Sequence, residues 1–272
     1  MDRVLVALVV GLLQGVFEWL PISSEGNISI VLTALGETPS AAVAYALFLH
    51  LGTAVSATAY YRDEVREAIG SAARIDPRSA FDAETATLSF VLLATAASSA
   101  VGLVALLGLE ALVSELTGGG FVAVVGVLLV ATGLVQRFAG SLSLGAREIP
   151  NAVDALLVGG VQGLAILPGV SRSGTTTSVL LFRGYEPPAA FRLSFLLSVP
   201  AALLGSAVGL VQSGGLHGVS ATSGLLSLAV SAVVGYATID LLMRVVRRVS
   251  FWLVCVGLGS LAIVGGLVVA AA

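Results

Sequence analysis

Charge is what this chain of 272 residues has least of. Asp, Glu, Lys and Arg together make up 11% of it, against about 25% in a soluble domain. Lysine is absent, so all 13 basic residues are arginines, a compositional trait without functional content. No basic tract exists, which excludes a nucleic-acid surface. The lone Cys255 excludes an internal disulfide and any zinc or redox cysteine spacing. Two histidines, His50 and His217, form no metal-binding cluster in the sequence. The net charge of −3 says little about partners in a chain with so little polar surface.

What remains is apolar: 57% of residues are hydrophobic. Several runs reach the ~20 residues a helix needs to cross a bilayer. Unbroken runs lack the alternation of a membrane barrel, which leaves helices as the spanning element. The chain therefore reads as an all-α integral membrane protein, one membrane domain over 1–272. Its opening "MDRVLVALVVGLLQ" has the short apolar core of a signal peptide. It lacks a net positive start and a small-x-small cleavage site, so it is expected to be retained.

Six stretches read as full spans: 41–61, 87–108, 119–138, 191–213, 223–243 and 250–271. Two regions do not fit. Residues 4–13 run into Gln14, Glu18 and Pro21 and are followed by a short run at 28–35. Residues 152–167 run into "ILPGVSRSG" and are followed by a short run at 175–182. Each half-run is too short to cross. Each pair is expected to enter the membrane, turn at a polar knot and leave on the same side.

The knots resemble one another. "QGVFEWLPISSEG" starts at Gln14 and "QGLAILPGVSRSG" at Gln162, an offset of 148. At that offset Gln14, Gly15, Ser23 and Gly26 meet Gln162, Gly163, Ser171 and Gly174, while Pro21 and Pro168 miss by one position. Each half of the chain is a broken pair followed by three spans, repeat one over about 1–140 and repeat two over about 150–272. Three is odd, so the second half must lie upside down, an inverted-topology repeat with its site at the repeat interface.

Arginine placement sets the orientation. With both pairs re-entrant, one side receives Arg62, Arg66, Arg74, Arg78, Arg137, Arg147, Arg183, Arg192, Arg244, Arg247 and Arg248. The other side receives only Arg3, and Arg172 lies in a knot. By the positive-inside rule the rich side is cytoplasmic, which puts both termini outside.

An ionisable residue inside the membrane is a functional candidate by default. Glu18 and Arg172 lead. Gln14 and Glu18, four apart, share a helix face. Pro21 stops the first half-helix, and the serines after it suit the N-cap of the next. Two helix N-termini facing each other make an anion site. Arg172 adds a fork of donors suited to phosphate or carboxylate. Ser23, Ser24, Ser171 and Ser173 add hydroxyls, and Gly26 and Gly174 permit close backbone approach. The plainer alternative is serines acting only as caps and a Glu18–Arg172 pair acting only as a lock.

"QGVFEWLPISSEGN" and "LPGVSRSGTTTS" resemble the two signatures of the undecaprenyl-diphosphate phosphatase family, also called bacitracin-resistance proteins. The likeness extends to "LHLGTAVSATAYYRDEV" and "AAFRLSFLLSVPAALLG" and covers nearly the whole chain in order. The resemblance implies a phosphatase that removes the terminal phosphate of a C55-type polyprenyl diphosphate, releasing the monophosphate carrier for surface glycans. It implies six spans with two re-entrant pairs, an active site opening to the outer face of the plasma membrane, and support by a divalent cation, Mg²⁺ or Ca²⁺. By motif position Gln14 and Glu18 fill a Glu/Gln-x3-Glu pair, with Glu18 as base or metal ligand. Ser24 falls on the serine that attacks or binds phosphate, and Arg172 on the phosphate-binding arginine between Ser171 and Ser173.

One departure stands out. The family usually has histidine where this chain has Asn27, and asparagine is neither acid nor base at neutral pH. Glu18 or Glu25 then takes the proton role, or the chain binds lipid phosphate without efficient hydrolysis. Such substitutions suggest an archaeal relative with a dolichol-type carrier. The chief rival to an enzyme is a lipid-carrier flippase or transporter, since inverted repeats with broken helices are a transporter signature. A homo-oligomer is compatible with the sequence, which does not set the oligomeric state.

Overall fold

In the computed structural model the described residues are 3–76, 78–116, 118–140, 145–212, 220–246 and 248–271. His217 and Arg247 lie outside them. Eleven α-helices occur among the described residues, in chain order α1 (Arg3–Phe17), α2 (Ser24–Ala34), α3 (Pro39–Tyr60), α4 (Arg62–Gly70), α5 (Ala86–Glu115), α6 (Gly118–Gly140), α7 (Ala152–Gly163), α8 (Arg172–Phe182), α9 (Pro187–Gln212), α10 (Ala221–Val246) and α11 (Phe251–Ala271). No named strand occurs among them; the one β-bridge joins Arg147 to Tyr185.

Six helices are long and apolar enough to cross a membrane, and they are the six expected from the sequence: α3, α5, α6, α9, α10 and α11. Their outward faces carry exposed Leu and Val, such as Leu103, Val104 and Leu107 on α5 and Leu261, Val264 and Leu267 on α11. In lipid such a face is at no disadvantage, so packing between spans rests on close fit rather than on apolar burial. The broken regions are the helix pairs α1/α2 and α7/α8. The short α4, charged throughout, was not expected from the apolar pattern.

The most extensive helix–helix contact is between α6 and α11. A Cβ on Gly126 would lie 2.6 Å from the Gly259 carbonyl oxygen, and one on Gly259 would lie 2.6 Å from that of Gly126. Two turns away Gly119 and Gly266 meet in the same reciprocal way. The central helix is α3, the most buried of the six. Its residues enter two core clusters, one with Val10, Ile28 and Leu32 of the first broken pair and one with Phe121, Val125 and Leu129 of α6. The site described next lies beside this helix.

A network of charged groups fastens α7/α8. Asp154, fully buried, accepts from Arg147 Nη2 at 2.9 Å, Arg183 Nε at 2.6 Å and the Tyr185 hydroxyl at 2.7 Å. Burial first, and the bond to Asp154 second, push the Tyr185 phenol above its usual range, so it stays a donor. Arg147 also bridges to the backbone after α8, its N–H donating to the Gly184 carbonyl at 3.1 Å. The chain just before α7 is thus fastened to the chain just after α8.

Gly126→Val is expected to cost roughly 1–3 kcal/mol through overpacking against α11, seen as a lowered unfolding temperature in detergent. Gly257→Ala on α11, where an added Cβ meets nothing within 4 Å, is the matched control and is expected to leave that temperature unchanged.

Candidate functional site

The two knots meet. α1 ends at Phe17, and the chain turns through Glu18–Ser23 before α2 begins. Ser23 caps α2, its Oγ accepting from the Gly26 N–H at 3.2 Å, and Ser171 caps α8, accepting from the Gly174 N–H at 3.1 Å. Ser23 Oγ also accepts from the Gly169 N–H of the other knot at 3.1 Å. Ser23 has φ 58°, the one described non-glycine residue in the left-handed region. That conformation is strained for serine and persists because two N–H groups hold the hydroxyl. A Cβ on Gly26 would sit 2.5 Å from the Gly169 nitrogen, so only glycine lets the knots approach this closely.

Two residues of α6 clamp the junction. Thr132 donates to the Gly169 carbonyl at 3.1 Å and accepts from the Ser171 N–H at 3.3 Å. Gln136 donates to the Pro21 carbonyl at 2.5 Å and lies against Gly174. Neither was singled out from the sequence. A Thr and a Gln one turn apart in an apolar run were the available signal.

Glu18 is the hub. Its side chain is 4% exposed. One carboxylate oxygen, Oε1, pairs with Arg172 Nη2. The other, Oε2, accepts from Gln14 Nε2 at 3.0 Å and from the Ser24 hydroxyl at 2.9 Å, and lies 3.4 Å from His50 Nε2. The shared helix face of Gln14 and Glu18 is thus realised as a hydrogen bond. Gln14 also reaches Thr53 on α3 at 3.4 Å.

Glu18, Ser23, Ser24, Glu25, Ser171, Arg172 and Ser173 all line one small polar cavity of about 30 Å³, and His50 lines it with them. Gln14, Gly26, Asn27 and Gly174 are not among its lining residues. The Asn27 amide instead donates to the Ile22 carbonyl at 2.7 Å and the Ser23 carbonyl at 2.9 Å, holding its own turn. Two buried polar atoms at the cavity have no partner: Arg172 Nη1 and Glu25 Oε1. A buried guanidinium nitrogen without an acceptor is costly and marks where an anion belongs. An anion accepting from Arg172 competes with Glu18 for the same guanidinium.

A second cavity, about 320 Å³ and mostly apolar, shares Glu25, His50, Ala165 and Arg172 with the first. It runs between α3, α5 and α9 past Leu47, Leu103, Leu106 and Val208. A charged head and an apolar tail therefore have adjoining places.

A resident divalent cation does not fit the donor set. Both Glu18 oxygens are engaged, and the described residues include no group of three His, Cys, Asp or Glu able to hold a metal.

Residues 7–262 match the family model described as bacitracin resistance protein BacA. The chain is 56% identical to the undecaprenyl-diphosphatase of Haloarcula marismortui, over 99% of this chain and 100% of that protein. It is 38% identical to the protein of the same name from Methanococcoides burtonii, over 94% and 96% of the two chains. For that of Saccharolobus solfataricus the identity is 33%, over 98% and 97%.

Ser23→Ala keeps the left-handed strain and strands two buried N–H groups, an expected loss of at least about 2 kcal/mol. Its unfolding temperature in detergent should fall below that of Ser23→Gly, which strands the same groups but relieves the strain.

Proposed function

The chain belongs to the bacitracin resistance protein BacA family, and we propose that it is a polyprenyl-diphosphate phosphatase. It releases the terminal phosphate of an undecaprenyl- or dolichyl-type diphosphate and regenerates the monophosphate carrier for surface glycan synthesis. The observation that carries this reading is the unpartnered Arg172 Nη1 at a cavity lined by the hydrogen-bonded Ser24 and Glu18, which shares Arg172 with the apolar cavity.

The terminal phosphate takes Arg172 from Glu18. Arg172 and the N–H groups at the starts of α2 and α8 hold the charge that develops on its oxygens, the main source of rate enhancement in phosphoryl transfer. Glu18, relieved of its guanidinium, receives the proton of Ser24, whose hydroxyl already donates to the other carboxylate oxygen, Oε2. Ser24 attacks phosphorus in line with the bridging oxygen, and water then hydrolyses the phosphoserine. The polyprenyl tail occupies the apolar cavity and extends into lipid. Mg²⁺ or Ca²⁺, where it contributes, is assigned to the incoming diphosphate rather than to Glu18, and no step above depends on it.

The architecture we assign is an inverted repeat with re-entrant pairs. Several observations support it. At the offset of 148 Gly11 and Gly15, which press α1 onto α10, match Gly159 and Gly163, which press α7 onto α5. Exchanging the halves maps α1–α10 packing onto α7–α5 packing and α6–α11 onto itself. Fastening of the chain ends around α7/α8 by Arg147, Asp154 and Arg183 favours a pair that returns to its starting side. The protein is a multi-pass membrane protein; we place it in the plasma membrane, its termini and site opening outside and its arginine-rich loops cytoplasmic. The same repeat also suits a lipid-carrier flippase, the second reading.

Purified protein is expected to release phosphate from a polyprenyl diphosphate, and Arg172→Ala to lower kcat about 100- to 1,000-fold. No release above the Arg172→Ala background, across lipid lengths and with Mg²⁺ or Ca²⁺, contradicts the phosphatase. Movement of labelled lipid phosphate across sealed vesicles without hydrolysis would support the flippase instead.

A further inference from the structure

We propose that His50, delivered by α3, is the proton-transfer residue for the leaving group, an inference that rests on the phosphatase reading. The Asn27 amide is tied to two carbonyls of its own turn, and Asn27 does not line the cavity. An imidazole nevertheless reaches the site, from a different helix.

Its hydrogen-bond geometry locates a proton. His50 Nδ1 lies 3.0 Å from the Ala46 carbonyl oxygen. A carbonyl only accepts, so Nδ1 carries hydrogen. Nε2 faces Glu18 Oε2 at 3.4 Å. At that distance a protonated ring pairs with the carboxylate, and Nε2 is the ring atom free to pass a proton. The ionisable groups around the ring are Glu18 just after α1, Glu25 on α2 and Arg172 on α8, all sharing its cavities.

Position assigns the role. His50 lines the polar and the apolar cavity alike. A bound lipid diphosphate has its terminal phosphate in the first and its tail toward the second, so the bridging oxygen lies at their border. As Ser24 oxygen bonds to the terminal phosphorus, its proton goes to Glu18. The bond from phosphorus to the bridging oxygen breaks, and that oxygen takes the proton from His50 Nε2. The lipid monophosphate leaves. Water then attacks the phosphoserine, His50 takes the water's proton, and Glu18 returns its proton to Ser24. One water is consumed, and both groups end as they began.

The test uses the full chain in detergent with undecaprenyl diphosphate. His50→Gln and His50→Ala are expected to lower kcat about 100-fold, the lower range for losing a general acid–base group, with KM changed by less than about threefold. Added imidazole should restore His50→Ala by about tenfold or more. Pyrazole, of the same shape but not protonated at neutral pH, should not. A His50→Gln enzyme with over about half the wild-type kcat overturns the inference, as does equal rescue by pyrazole. A wild type that releases no phosphate overturns the phosphatase reading itself. Should position 50 tolerate no replacement, diethyl pyrocarbonate on His217→Gln decides, because His50 is then the one histidine. Inactivation slowed by inorganic phosphate and reversed by hydroxylamine supports the role; full activity with His50 modified refutes it.

Discussion

The Glu18–Arg172 pair joins the two halves of this molecule at their chemical centre. Neither residue would be tolerated alone in the membrane interior, where an unpaired charge costs several kcal/mol or more. A buried ion pair seldom repays its desolvation, so its presence is poor evidence of a stability role. Here the pair is poised. Arg172 keeps one nitrogen without a partner, and Glu18 keeps the Ser24 hydroxyl on its second oxygen. A phosphate that replaces Glu18 on Arg172 releases the carboxylate for proton transfer. Substrate binding and activation of the nucleophile then become one event.

The proposed repeat places unlike chemistry in matching frames. At the offset of 148 Ser24 corresponds to Arg172, and each is the first residue of its helix, α2 or α8. In the proposed reaction the same backbone position supplies the nucleophile in one knot and the phosphate ligand in the other. The frame around them stays alike: Ser23 and Ser171 cap, and Gly26 and Gly174 donate to those caps. It is not identical, since Ser23 is left-handed and Ser171 extended. Ser23 also accepts from Gly169, while Thr132 of α6 bonds to the second knot and Gln136 to Pro21 of the first.

Much of this was legible in the sequence for physical reasons. A span announces itself by length and apolarity, so all six appear with ends within a few residues. The knots announce themselves because proline and charge do not belong in an apolar run. The relation of Gln14 to Glu18 follows from helical spacing. What was not legible is what tertiary packing supplies. His50, Thr132 and Gln136 each sit in a span where one polar residue does not break the pattern. Asn27 drew attention as a substitution, but its consequence lay on α3. Helix α4 is too short and too charged to form an apolar run.

A structure with vanadate bound tests the central claim most directly. The account predicts a trigonal vanadate within bonding distance of Ser24 Oγ, held by Arg172 and by N–H groups of both knots, with Glu18 moved off the guanidinium. Vanadate bound elsewhere, or bound with the Glu18–Arg172 pair intact and Ser24 remote, would contradict it.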